Sequence, residues 1–151
     1  MLQYDFEESV GYWITITSHF YQDALNQELI PYGITFRQFQ VIGWLVYEGP
    51  LSQVELAERM MIEPPTLVRI LDRMERDQWI NRESDPDDRR RKVVKVCPEA
   101  KPVWSQVVVC LKQLRKKATQ GMSNEDIEAL KSLLMQVQKN LGIMVSEYET
   151  A

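Results

Sequence analysis

The 151-residue sequence predicts a mainly α-helical protein carrying one short β hairpin, in the order α-α-α-α-β-β-α-α. Three observations predict it. Apolar residues recur at three- and four-residue spacing over most of the chain, as the 3.6-residue period of a buried helix face requires. Capping residues, prolines and glycines cut that periodicity into segments. Between Trp79 and Val96 the pattern changes to two short β-favouring runs around a charged turn, Asp85-Pro86-Asp87-Asp88-Arg89-Arg90-Arg91.

Phe6, Val10, Trp13, Thr17, Phe20 and Ala24 form the stripe of one long amphipathic helix to about Leu29, where Pro31 and Gly33 stop it. Thr35-Phe36-Arg37-Gln38 is a Thr-x-x-Gln capping box, in which a hydroxyl and an amide satisfy otherwise orphaned N–H groups. It opens a second helix through Phe39, Ile42, Leu45 and Val46, ended by Gly49-Pro50. Ser52-Gln53-Val54-Glu55 is another such box and starts a short helix with Leu56, Ala57 and Met60 inside. Pro64 and Pro65 fall in the first turn of the next helix, where proline is tolerated. That helix carries Leu67, Ile70, Leu71 and Met74 on one face, displays Thr66, Arg69, Arg73 and Arg76 on another, and ends near Gln78. Trp79–Ser84 and Lys92–Val96 are the two strands. After Pro98 the helical period returns at Val103, Val107, Cys110 and Leu114. Gly121 breaks it, Ser123 caps a last helix, and Ile127, Leu130, Leu134, Val137, Leu141, Met144 and Tyr148 form its stripe.

Composition excludes several classes of function. The longest nearly uninterrupted apolar stretch, Val41–Tyr47, falls far short of the roughly 18–20 residues that cross a bilayer. Met1–Glu8 is acidic and lacks the basic start of a secretory signal. Two cysteines, Cys97 and Cys110, build neither a disulfide framework nor a zinc module. The single histidine, His19, removes most histidine-based metal and triad chemistry. There is no Gly-rich phosphate loop and no nucleophile–base spacing. These exclusions point to a soluble, cytoplasmic binding protein without metal or cofactor rather than an enzyme.

The net charge of −4 conceals an uneven distribution. Residues 69–118 hold fourteen bases against eight acids, and the flanks hold four bases against fourteen acids. The centre is therefore +6 and the flanks together −10. Local charge, not the total, sets the field that a phosphate backbone meets.

Two short helices joined by a tight turn and followed by a hairpin describe a winged helix-turn-helix. A helix fits the major groove of B-DNA, and outward side chains near its N-terminus reach base edges. The helix from about Pro64 has an apolar face to hold it and an arginine-bearing face to present. The hairpin places Arg89, Arg90 and Arg91 on a narrow protrusion suited to a minor groove or to phosphates. Asp87 and Asp88 would repel phosphate, and we read them as pairing with a neighbouring arginine to hold the turn in shape.

Residues Thr35 to Val96 resemble the multiple-antibiotic-resistance regulator (MarR) family of bacterial transcription factors. The resemblance rests on Thr35-x-x-Gln38-Phe39, on Leu51-Ser52-Gln53-Val54-Glu55-Leu56-Ala57, on the run Thr66 to Glu75, and on Asp85 to Lys92, in order and with matching spacing. It implies a homodimer, bound to pseudo-palindromic operators on double-stranded DNA as a repressor and released by a small anionic or aromatic effector. The implied organisation is a single domain over 1–151, with 1–30 and 98–151 as dimerisation helices and 35–97 as the DNA-binding lobe. The candidate DNA contacts are Ser52, Gln53, Pro65, Thr66, Val68, Arg69, Arg73, Arg76, Arg89, Arg90 and Arg91. The family motif makes Asp88 and Arg90 the stabilising pair of the wing, with Arg89 or Arg91 freer at its tip. The crevice in which the family binds effectors could be lined here by Trp13, His19, Phe20 and Trp44, although core packing is the simpler role for the three aromatics and a packed or surface position for His19. Three departures stand out: Gln78 and Ala100 where glycine is common, and Val96-Cys97 in place of Leu-Thr. The chain has no cysteine before Cys97, against the peroxide-sensing mode of some members, and both thiols are expected to be inert unless Cys97 or Cys110 reacts by another route. The Lys112, Arg115, Lys116 and Lys117 cluster reads as a solvated helix face. The alternative reading is a winged-helix module that binds an acidic protein, in keeping with the acidic total.

Overall fold

Thr35 and Ser52 each begin a helix as their sequences require. A computed structural model describes residues 1–142, so Met144 and Tyr148 of the last stripe lie outside the described residues. Thr35 Oγ1 accepts the Gln38 N–H and the Gln38 side chain accepts the Thr35 N–H, opening α2 (Phe36–Glu48). Ser52 and Glu55 make the same exchange at the start of α3 (Gln53–Met60). Before them, α1 (Val10–Leu29) runs into a single 3-10 turn, Ile30–Tyr32, closed by Gly33 in the left-handed conformation. Helix α4 (Pro64–Arg76) has proline in its first turn and follows α3 after a tight turn.

The hairpin strands are β2 (Ile80–Ser84) and β3 (Lys92–Val96), antiparallel, with Ile80 opposite Val96 and Ser84 opposite Lys92. A third strand, β1 (Leu51–Ser52), joins the other edge of β3, with Leu51 opposite Val94 and Ser52 opposite Val93. The sequence predicts a two-stranded wing; the two residues of β1 are too few to show a period. After β3 a 3-10 turn, Pro98–Ala100, leads into α5 (Lys101–Ala118). Cys97 sits at its N-cap without a side-chain hydrogen bond, as expected for a cysteine in that place.

Contacts divide the chain into two units, residues 1–114 and residues from 115 onward. The first has two adjoining cores that share Trp79, Val103 and Trp104 at their margins. One core gathers Val41, Ile42 and Leu45 of α2, Leu56 and Met60 of α3, and Leu67, Leu71 and Met74 of α4 over Ile80 and Val94 of the sheet. The other holds Leu25 and Leu29 of α1 with Ile34 and Val107, Cys110 and Leu114 of α5. Only the last turns of α1 are therefore buried, and Val10, Trp13 and Phe20 are exposed. In the second unit, Gly121 turns the chain with positive φ and Ser123 forms a capping box with Asp126 to open α6 (Asn124–Asn140). No residue of α6 is buried.

Candidate nucleic-acid interface

The turn from α3 into α4 is made by Met61, whose φ of +52° lets its N–H reach back to the carbonyls of Ala57 and Glu58. Leu67, Leu71 and Met74 then anchor α4, which fixes what its other face presents. Pro65, Thr66, Arg69, Arg73 and Arg76 are exposed, and Val68 is half-buried. Asp72 lies between two of these arginines but pairs with neither: its Oδ1 accepts from Arg82 Nη2 at 2.7 Å. Arg82 also takes Glu75, with Nη2 2.6 Å from Oε2, and donates its backbone N–H to Oε1. That bonding to Arg82 holds the Glu75 carboxyl below the usual carboxylate range and pushes the guanidinium up. Arg82 thus absorbs both acids on α4 that could have neutralised its arginines. Among the described residues Arg69 and Arg73 have no ion pair, while Arg76 has only Asp77, at 3.8 Å. Arg69 and Arg73 line a cleft of about 160 Å³ with Thr35, Gln38 and Ile70.

The wing turn is held by its own acids. Asp85 Oδ1 accepts the Asp87 N–H at 2.9 Å, and Asp88 Oδ1 accepts the Arg90 N–H at 3.0 Å. The Asp85 N–H meets the Arg91 carbonyl at 2.8 Å, and the Arg91 N–H meets that of Asp88 at 2.9 Å. Asp88 therefore meets Arg90 within the turn, through the Arg90 backbone N–H rather than the guanidinium. The arginine held by carboxylates is Arg91, with Nη2 2.8 Å from Glu55 Oε2 and Nε 3.7 Å from Asp85 Oδ2. It adjoins β3, whose Val93 pairs with Ser52 at the head of α3, so Glu55 is within its reach. Arg89 and Arg90 are exposed and without an ion pair among the described residues.

Ser52 is 3% exposed, with its hydroxyl accepting the Glu55 N–H in the cap of α3, and Gln53 beside it is half-buried. Trp13, His19, Phe20 and Trp44 do not line one cavity of the protomer, and Trp13 and Phe20 are exposed in it rather than packed in its core. The first three are exposed on α1, where the Trp13 ring N–H donates to the Glu7 carbonyl at 2.7 Å. Trp44 instead lines an open apolar cavity of about 640 Å³ with Phe36, Phe39, Gly43, Tyr47 and Trp104. Periodicity gave no sign of that grouping, because Trp104 comes from a helix remote in sequence. Nor did it single out Arg82, or Glu55 as a partner of Arg91, because those pairings are tertiary.

Burial pushes the Cys97 thiol up, assisted by Glu99 and Glu75. Cys110 is buried, donates to the Glu28 carbonyl at 3.3 Å, and is also pushed up by burial. Both favour the thiol over the reactive thiolate. No group of His, Cys, Asp and Glu suited to a metal ion occurs among the described residues. No helix among them is long and apolar enough to cross a membrane.

The MarR family model matches residues 34–92. Wild-type MarR from E. coli, in its apo form, is similar at 26% identity and a TM-score of 0.76, over 85% of this chain and 96% of that one. A MarR variant from E. coli complexed with operator DNA is similar at 25% identity and 0.77, over 89% and 99% of the two chains. A MarR-family regulator from Rhodococcus sp. RHA1 shares the fold at 18% identity and 0.80, over 89% and 96%.

Proposed function

We propose that the chain, whose residues 34–92 match the MarR family model, is a homodimeric regulator of that family that binds pseudo-palindromic operators. The observation that carries this reading is the pair of unneutralised arginines, Arg69 and Arg73, on the exposed face of a helix whose acids are occupied by Arg82. In the proposed complex α4 enters the major groove, with Pro65, Thr66, Val68, Arg69 and Arg73 along the bases and Gln53 and Arg76 toward the backbone. Arg89 and Arg90 meet the adjoining minor groove or its phosphates. Residues 35–97 are then the DNA-binding lobe.

The dimer is proposed to form through the helices of 1–30 and 98–151. Its support is apolar surface that the protomer leaves uncovered, including Phe6, Val10, Trp13 and Phe20 near one end and Leu130, Leu133 and Leu134 on α6. We read the protein as a repressor released by a small aromatic effector, supported by the apolar cavity beside Trp44 and Trp104.

Selection of bound sequences from random duplex DNA tests the reading. A two-fold motif with half-sites about one helical turn apart is the expected result. Failure to enrich any duplex, with the acidic-partner alternative then favoured, would overturn it.

A further inference from the structure

Three arginines follow one another in the wing turn, yet the fold treats the last differently. Glu55 Oε2 accepts the Ser52 N–H at 2.8 Å and lies 2.8 Å from Arg91 Nη2, so one oxygen serves both the helix cap and the guanidinium. Asp85, at the other end of the turn, faces the same guanidinium at 3.7 Å and takes part in the backbone closure with Arg91. Arg91 thus stands at the junction of the turn, β3 and the start of α3, with carboxylates on two sides. A guanidinium so placed already has carboxylate partners before any phosphate approaches, whereas Arg89 and Arg90 have no ion pair among the described residues.

We infer that Arg91 is a positioning residue rather than a DNA contact: clipped to Glu55 and Asp85, it fixes the angle between the wing and the helix-turn-helix. This inference rests on the DNA-binding reading. Its consequence is geometric. Major-groove and minor-groove contacts are made by different elements, and a link between α3 and the wing sets their spacing before DNA arrives.

Two variants separate the possibilities. Glu55→Gln removes the charge that holds Arg91 but leaves a capping box, since Gln38 already serves that role opposite Thr35. Arg91→Ala removes the guanidinium. In the free protein, hydrogen exchange at the Asp85 and Arg91 amides should quicken about two- to fivefold in either variant, the scale of an exposed ion pair, and no further in the double variant. On a selected duplex, Arg91→Ala should weaken binding by a similar factor without changing the slope of log K against log salt. Arg90→Ala, by contrast, should make that slope shallower by about 0.9, the loss of one phosphate contact. A slope change for Arg91→Ala equal to that for Arg90→Ala, or unaltered exchange in both clip variants, would overturn the inference while leaving DNA binding intact. A parent protein that bound no duplex would instead remove the DNA reading and the positioning role with it.

Discussion

Gln78 leaves α4 with a φ of +62° and Met61 leaves α3 with +52°, both in the left-handed region that costs an L-residue roughly 1–2 kcal/mol. Glycine enters it freely, at the expense of a more flexible unfolded chain. Gln78→Gly and Met61→Gly should each therefore stabilise the fold, by about 0.5–1 kcal/mol in urea denaturation. Neither change should alter the salt dependence of DNA binding, because neither removes a charge. Lower stability in both variants would show that the side chains contribute more than the backbone loses. The strain at Gln78 was legible, since the motif places glycine there. That at Met61 was not, because nothing in an exposed methionine announces its backbone. For DNA recognition the sharpest residue is Arg69: if it reads a base edge, Arg69→Ala should cost about 1–3 kcal/mol and relax sequence preference at one position of each half-site. A uniform loss over all duplexes would assign it to phosphate instead.

Elements are joined here by side chains that serve two partners. Arg82 ties β2 to α4 through Asp72 and Glu75, with its side chain 18% exposed. Arg82→Ala should destabilise the protein by about 1–3 kcal/mol, the scale of hydrogen bonds to charged groups. It should also free the two carboxylates to offset Arg69 and Arg73, weakening DNA binding. The same pair gives a pH dependence with a definite sign. Bonding to Arg82 lowers the folded pKa of Glu75 from the ordinary 4.5, so its stabilisation is present above that value and lost as pH falls through the folded pKa. Acid unfolding of the parent below about pH 4.5 should thus be steeper than that of Arg82→Ala, followed by circular dichroism; identical acid limbs would deny the link. Most elements were legible because local chemistry specifies them. The two capping boxes read from the sequence appear where Thr35 and Ser52 place them, and Lys92–Val96 is a strand over the expected residues. Strand β1 was not legible, because Leu51 and Ser52 are extended only by pairing with Val94 and Val93. Nor was the carboxylate clip of the wing, since the family resemblance pointed to Arg90 while the reach of Glu55 from another helix selects Arg91.

At the scale of the molecule, helices that look over-long for one protomer have a physical consequence. The spacing of Phe6, Val10, Trp13 and Phe20 was legible as an apolar stripe, but sequence could not tell whether the same chain buries it. Phe6 is 60%, Trp13 52% and Phe20 71% exposed, so this protomer does not. If a second copy covers that face, desolvation of these rings drives the association, at roughly 25 cal/mol for each Å² of apolar surface removed from water. Placing carboxylates there, as Trp13→Asp with Phe20→Asp, should abolish the dimer while leaving the cores around Leu25 and Leu71 intact. Sedimentation should find the parent at twice its protomer mass and the variant at one, with equal helical circular dichroism. DNA binding then reports what the dimer does. Two tethered recognition helices engage the second half-site intramolecularly, so the monomer should lose about a hundredfold or more on the full operator. On an isolated half-site the two proteins should bind alike per protomer. The acidic flanks sharpen this outcome, because the +6 central segment must attract phosphate against −10 elsewhere in each chain, and a single lobe gains little from long-range attraction. A parent that sediments as a monomer, or a variant that keeps full operator affinity, would remove the dimer from the account and leave each lobe to bind alone.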